Sequence, residues 1–268
     1  MPELPEIASR AREMQAMLVG KTIAAVTVLQ PKSLNVDAEA FAHALTGAEI
    51  LAVSARGKWI VTETSQGWFL LNLGMGGEVL LVTPDTLPDK RRLVLSLSDG
   101  SSLVINFWWV GYAHYVAPNG LAGHEMTARL GPNALEVTPD TLGTLVGGRR
   151  SRIKSLLLDQ SQLAGIGNFY IHDILFRAGL HQLRTADTLL PDDVARLHRA
   201  IQQGLQPSLD QGGAWYELRL DGQRGGFGQE NLLVAYREGQ ACPTCGATIE
   251  KLKTGSTSSF ICPTCQAL

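Results

Sequence analysis

All four cysteines of this 268-residue chain lie within its last 27 residues, in two Cys-Pro-Thr-Cys turns. Sixteen residues separate the two turns, which is a spacing typical of a zinc ribbon with four thiolate ligands. Each turn can bring two thiolates to about 2.3 Å from one ion, and the second turn completes the tetrahedron. Two disulfides are the alternative, but they suit paired Cys-x-x-Cys turns poorly. We therefore predict one structural zinc ion, held by Cys242, Cys245, Cys262 and Cys265.

The rest of the composition is that of a globular chain with an ample core. Hydrophobic residues make up 45% of the sequence and the formal net charge is −2, which argues against disorder. No apolar run reaches the ~18 residues of a membrane-spanning helix, and the charged N-terminus does not fit a signal peptide. We predict a cytoplasmic protein without a membrane partner, and the near-neutral charge by itself does not point to nucleic acid.

The hydrophobic pattern changes twice along the chain. Helical spacing of Ile7, Ala11, Met14 and Leu18 predicts a helix over about residues 4–18, ended by Gly20. Between Thr22 and about Tyr115, short β-rich stretches alternate with turn clusters, which favours an antiparallel sandwich or barrel of six to eight strands. After Leu130 the pattern is helical, and the glycine-rich residues 212–230 are predicted to form a loop.

The N-terminal segment Pro2-Glu3-Leu4-Pro5-Glu6 allows two interpretations. As ordinary structure it is a helix start, with proline in the first turn and an acid that favours the helix dipole. If Met1 is removed, however, Pro2 becomes a secondary amine that can attack a sugar C1′ and form an iminium. Glu3 could then shuttle protons beside it.

Six stretches of the chain match the motifs of one known family, in the same order along the sequence. They are Pro2–Glu6, Arg56-Gly57-Lys58, Asn72-Leu73-Gly74-Met75, residues 153–181, residues 236–246 and residues 262–266. In these stretches the chain resembles the formamidopyrimidine-DNA glycosylase and endonuclease VIII family, as an atypical member. The resemblance implies an α+β fold of two domains, an N-terminal antiparallel β-sandwich with a leading helix and a C-terminal helical domain. That second domain would be helix–two-turn–helix with a zinc ribbon. We place the boundaries at 1–130, 131–230 and 231–268.

The resemblance also implies a function, base-excision repair of DNA. A damaged base is flipped out of the stack, Pro2 displaces it, and the resulting Schiff base nicks the strand by β,δ-elimination. Glu3 would be the acid and base that opens the sugar ring. The expected partner is damaged or abasic DNA, bound by a monomer.

Further residues are expected at the DNA by the same resemblance. Lys58 and Asn168 would contact phosphates beside the flipped nucleotide, Met75 would fill the space it leaves, and Lys154 would contact DNA. Each has a structural alternative: Lys58 as a solvated strand-end lysine, Asn168 as a helix cap, and Met75 as core. Asp173 is interpreted as structural.

The chain departs from the family pattern where specificity is expected. Counted back from Gly111, Trp108 replaces an arginine that bonds the unpaired base, and Val110 replaces a phenylalanine. An indole can only stack on that base, a contact worth about 1–3 kcal/mol, so discrimination of the opposite base should weaken. The alternative is that Phe107, Trp108 and Trp109 are strand residues.

Three further departures affect contacts with the DNA. Thr257, within a predicted turn over 255–259, replaces a phosphate-binding arginine. Asn72 replaces a histidine and would be a weaker phosphate contact. The segment 213–227 lacks the usual threonine pair of the damaged-base loop, which suggests an altered substrate. These losses leave a second hypothesis open, a weakly catalytic or non-catalytic family member that recognises abasic or distorted DNA.

Overall fold

The computed structural model describes residues 1–108, 110–254 and 257–268. Trp109, Gly255 and Ser256, which entered the predictions above, lie outside the described residues. The chain forms two compact units. We call residues 1–129 and 209–226 the N-terminal unit, and residues 130–208 and 227–268 the C-terminal unit. The glycine-rich segment predicted as a loop thus belongs largely to the N-terminal unit, although it begins 83 residues after residue 129, where the first stretch of that unit ends.

The N-terminal unit is an antiparallel β-sandwich with a leading helix. The helices are α1 (Leu4–Leu18), α2 (Ala38–Leu45) and α3 (Glu125–Ala128), and the strands are β1 (Ile23–Val28), β2 (Ile50–Arg56), β3 (Trp59–Thr64), β4 (Gly67–Asn72), β5 (Glu78–Val82), β6 (Leu93–Leu97), β7 (Ser102–Asn106) and β8 (Tyr112–Val116). One sheet has the strand order β1-β6-β7-β5 and the other β2-β3-β4-β8. A stripe of apolar side chains on α1, including Ile7, Met14 and Leu18, is buried in the core together with both sheets.

These bounds confirm the predicted helix over 4–18 and the antiparallel sandwich. For Phe107 and Trp108 they do not support the strand interpretation, because β7 ends at Asn106. Phe107 is buried just beyond the strand, whereas Trp108 is 55% exposed.

The C-terminal unit combines helices with a two-stranded hairpin. One of its hydrophobic clusters joins Phe176 to residues of the cysteine module, among them Phe260 and Cys262. The Asp173 carboxylate accepts hydrogen bonds from three successive backbone N–H groups, which confirms its structural role. The donors are Leu233, Val234 and Ala235. The elements are α4 (Pro139–Val146), α5 (Ile153–Leu158), α6 (Ile171–Ala178), α7 (Pro191–Asp210), β9 (Glu250–Thr254) and β10 (Thr257–Ile261).

The predicted turn over 255–259 is wrong for its last three residues. Thr257 already pairs with Thr254, and strand β10 continues through Ser259. Among the described residues, no helix combines the length and the apolar character needed to span a bilayer.

Candidate active site and DNA-contacting residues

Pro2 and Glu3 are both buried where α1 begins. Glu3 is 3% exposed, and its backbone N–H donates to Glu6 Oε2 at 2.9 Å. This is one half of a capping box, in which a side chain in the first turn binds the backbone ahead of the helix. The N-terminal end of a helix dipole also favours negative charge. The start of α1 therefore fixes a carboxyl group next to the residue expected to act as nucleophile.

Three charged residues on one face of α1 hold the glycine-rich segment of the N-terminal unit. Glu6, Arg10 and Glu13 follow one another at helical spacing, so their side chains lie on the same side of the helix. Arg10 is only 2% exposed and pairs with Glu13 at 2.8 Å. The contacts to the segment are Ala214 N–H to Glu6 Oε1 (3.1 Å), Arg10 Nη2 to Gly212 O (3.3 Å), Arg219 Nε to Glu13 Oε1 (3.0 Å) and Leu220 N–H to Glu13 Oε2 (2.8 Å).

Glu217, in the middle of this segment, is a buried acid with unusual surroundings. Its side chain is 9% exposed. Burial, with the negative charge of Glu6 second, raises the pKa of Glu217 to about 7. A substantial fraction of this carboxyl group is therefore protonated at neutral pH.

Asn72 joins two of the predicted DNA-contacting turns. Its Nδ2 donates to Lys58 O at 3.1 Å, and its Oδ1 accepts from Gly74 N–H at 3.0 Å. Both ends of the amide thus bind the protein itself, and the predicted phosphate contact of Asn72 remains a prediction. Met75, in the same turn, is 50% exposed, so its interpretation as core is wrong. Lys58 is half-buried and has no acidic partner among the described residues.

Trp108 lies beside the turn that carries Met75. A Cβ placed on Gly76 would lie 3.6 Å from the Trp108 Cβ. Lys90 Nζ lies 4.8 Å from the centroid of the exposed indole, which is within cation–π range. The structure therefore brings together two residues that the sequence predicted to act at one place, and it leaves both side chains open to solvent.

In the C-terminal unit, Gln160 shapes the turn that leads to Asn168. Its Oε1 accepts from Gly165 N–H at 2.9 Å, and its Nε2 donates to Ile166 O at 2.8 Å. Gly165 has a φ of +108°, which a side chain would resist. Asn168 is not the cap of α6, because Tyr170 occupies that position. The buried Asn168 Oδ1 has no hydrogen-bond partner within the described ranges.

Lys154 is buried rather than offered to solvent. It is 5% exposed, and its Nζ donates to Thr257 Oγ1 (3.2 Å), Ser258 O (2.8 Å) and Ser259 Oγ (2.8 Å). Burial lowers the pKa of Lys154 to about 8. The predicted DNA contacts of Lys154 and Thr257 remain predictions, but the structure joins these two residues to each other across α5 and β10.

The four cysteines gather as the sequence predicts. Their Sγ atoms all lie within 4.8 Å of one another, and all four are free thiols. The Cys242–Cys265 and Cys245–Cys262 sulfur distances are 3.9 and 3.4 Å, too long for a disulfide bond. Four sulfurs at 2.3 Å from a tetrahedral zinc would be about 3.8 Å apart. The cluster therefore fits a structural zinc ion and leaves no open position for catalysis.

Comparison with known proteins finds a family match in both units. Residues 1–106 match the formamidopyrimidine-DNA glycosylase N-terminal domain, residues 130–219 its H2TH domain, and residues 239–268 the zinc finger found in FPG and IleRS. The chain is 35% identical to the formamidopyrimidine-DNA glycosylase of Chloroflexus aurantiacus over 271 residues, which cover 99% of this chain and 98% of that protein. This chain belongs to the formamidopyrimidine-DNA glycosylase family.

Other members of the formamidopyrimidine-DNA glycosylase family agree along the full length. The enzyme of Pelotomaculum thermopropionicum is 37% identical over 274 residues, covering 99% of each chain. Lactococcus lactis Fpg bound to a Fapy-dG containing DNA superposes with a TM-score of 0.90 at 26% identity, covering 99% of this chain and all of that one. Its complex with an abasic site containing DNA gives 0.90 at 25%, with the same coverage.

The contacts that hold the glycine-rich segment against α1 have only a partial signal in the sequence. The sequence pattern assigns Glu6 to the N-terminal motif and gives no role to Arg10 or Glu13. Their charge and their spacing along α1 were a readable signal. Their partners, however, lie about 200 residues away, and no local pattern indicates that pairing.

Proposed function

We propose that Pro2 and Glu3 carry the chemistry of a bifunctional DNA glycosylase and DNA-(apurinic or apyrimidinic site) lyase. The observation that carries this proposal is the burial of both residues at the start of α1, with the Glu3 backbone fixed by Glu6. Once Met1 is removed, the Pro2 amine attacks C1′ and expels the base. Glu3 then moves a proton to the ring oxygen, the sugar opens as an iminium, and β,δ-elimination nicks the strand.

The contacting residues support this chemistry in each unit. In the N-terminal unit, Lys58 would bind a phosphate beside the lesion, while Met75 and Trp108 fill the space of the flipped nucleotide. In the C-terminal unit, the side-chain amide of Asn168 would contact the DNA backbone. Lys154 and Thr257 would together form a second polar contact with the DNA. The solved relatives hold DNA with Fapy-dG, an abasic site or an oxidized pyrimidine, and we propose these as substrates here.

Trapping with borohydride on abasic-site DNA tests the proposal. The protein is first shown by intact mass to lack Met1, and a variant with glycine inserted before Pro2 serves as the control. We expect a covalent adduct from the processed protein and none from the insertion variant. No adduct from correctly processed protein would overturn the proposal.

A second candidate function is favoured by the neutral contacts at Asn72 and Thr257. In it, the chain recognises abasic or distorted DNA and excises little or nothing. Tight binding to abasic DNA without any adduct would support this reading over the enzyme.

We further propose that the protein acts on chromosomal DNA in the cytoplasm. The support is chemical, since four cysteines that form no disulfide and can bind zinc are typical of a reducing compartment. Localisation of a fluorescent fusion to the nucleoid would test this placement.

A further inference from the structure

Glu217 is tied to the proposed catalytic residues by a short series of hydrogen bonds. The two carboxylate oxygens of Glu6 accept from the backbone N–H groups of Glu3 (2.9 Å) and Ala214 (3.1 Å). The backbone of Ala214 in turn accepts from Glu217 N–H at 3.0 Å. Gly213 lets the backbone approach α1 closely, because a Cβ on it would lie 3.0 Å from Glu6 Cγ. The turn that carries Glu217 is therefore fixed against the start of α1.

The Glu217 side chain is largely buried, and its carboxyl group has no structural partner among the described residues. It is 9% exposed, and among the described residues no hydrogen bond reaches it. The groups whose charges act on it are Glu6 and Arg10 of α1, Glu78 of β5 and the N-terminal amine of the chain. Enclosing an unpaired acid costs stability. A ligand group that pairs with it would remove that cost.

Base excision requires a proton that Glu3 does not supply in the mechanism above. The departing base takes the electron pair of its glycosidic bond and leaves more easily when it is protonated as the bond breaks. Resting on the proposed function, we propose that Glu217 is the acid that protonates the departing base.

The step balances in atoms and charge. The Pro2 nitrogen forms a bond to C1′ as the C1′–N bond to the base breaks. The Glu217 O–H proton passes to the base, which leaves neutral, while Glu217 becomes a carboxylate that solvent later reprotonates. The proton released from the Pro2 nitrogen passes through Glu3 to the ring oxygen as the iminium forms. A buried carboxylic acid beside a carboxylate is an arrangement that other enzymes use to divide the roles of acid and base.

The test separates excision from nicking in a Glu217→Gln variant of the full chain. Single-turnover rates are measured on one duplex with Fapy-dG and on another with an abasic site, where no base has to leave. Excision should fall about 10²-fold or more, the usual contribution of a general acid, while nicking changes less than about threefold. The exposed Glu39 of α2 provides the matched control, since Glu39→Gln should change neither rate.

The pH profile gives a readout that a merely structural role would not move. Because Glu217 titrates near pH 7, excision by the unmodified protein should fall as the pH rises through 7, and this limb should be absent in Glu217→Gln. Equal losses of excision and nicking, or no loss of either, would overturn the role of Glu217. If the unmodified protein forms no adduct on abasic DNA, the proposed function itself fails, and that outcome is distinct from the others.

Discussion

In the N-terminal unit, charged side chains are held by other charged side chains, whereas the C-terminal unit holds its one deeply buried lysine with neutral oxygens. Arg10, Glu13 and Arg219 form a linked set of ion pairs around the glycine-rich segment. Lys154 donates instead to two hydroxyl groups and one carbonyl. The segment beside the proposed chemistry is thus held by ion pairs, whereas Lys154 is held by neutral oxygens.

The difference teaches how each unit is stabilised. Ion pairs can hold a loop without a metal, because both partners gain from being paired when partly buried. A 42-residue C-terminal segment, residues 227–268, has little core of its own and depends on its four cysteines.

Loss of zinc should have the largest effect on stability. It should unfold part of the C-terminal unit and leave the N-terminal unit folded. Structural zinc sites contribute about 10–16 kcal/mol of apparent binding energy. We expect Cys262→Ala to release zinc and to remove amide-exchange protection from residues 227–268, while the sandwich stays protected. Thr264→Ala, exposed in the same Cys-Pro-Thr-Cys turn, is the control. Full protection of the hairpin in zinc-free protein would show that neutral hydrogen bonds suffice there.

Replacing Lys154 should have the next largest effect. Lys154→Met removes the donor from three acceptors, two of them hydroxyls, and leaves them partly unsatisfied. We expect the free energy of unfolding to fall by about 2–3 kcal/mol, measured by urea denaturation. Lys251→Met, on the exposed face of the same hairpin, should change it by less than about 0.5 kcal/mol. If the stability is unchanged and DNA binding weakens, Lys154 contributes to DNA binding rather than to the stability of the β9–β10 hairpin.

The same contrast separates what the sequence could predict from what it could not. Helix α1 and the zinc ribbon depend on periodicity and on spacing within a few tens of residues, and both were predicted. Thr257 was placed in a turn because glycine and serine precede it, yet pairing with Thr254 and a bond from Lys154, 103 residues earlier, keep it in a strand. Arg219 binds Glu13, which lies 206 residues away, and no local pattern predicts that pairing.

Acid should destabilise the sandwich through a pair of histidines whose rings meet edge to face. His114 Nδ1 and His124 Nε2 lie 2.9 Å apart, and burial, then the charge of His124, lowers the pKa of His114 from 6.5 to about 4. Between pH 6.5 and 4, His114 therefore binds a proton in the unfolded chain but not in the folded chain. Stability present above pH 6.5 is lost as the pH falls, by about 2–3 kcal/mol.

Comparison with His114→Gln isolates this effect. His172 of the C-terminal unit, whose pKa burial lowers to about 3, is present in both proteins and cancels. We expect the variant to lose less stability than the unmodified protein between pH 6.5 and 4 in urea titrations. His43→Gln, which changes an exposed histidine of α2, should follow the unmodified protein. If the stability of all three proteins falls in parallel with pH, His114 is not the source of the acid sensitivity.

The smallest expected effect concerns how lightly the protein holds the DNA backbone. If two to four phosphates are neutralised, a plot of log K against log salt should have a slope of about −2 to −4. Thr257→Arg adds one cation on β10 and should steepen this slope by about 0.9, while Thr257→Gln leaves it unchanged. A slope near −8 in the unmodified protein would contradict light contact. An unchanged slope in Thr257→Arg would place that strand position away from the phosphates.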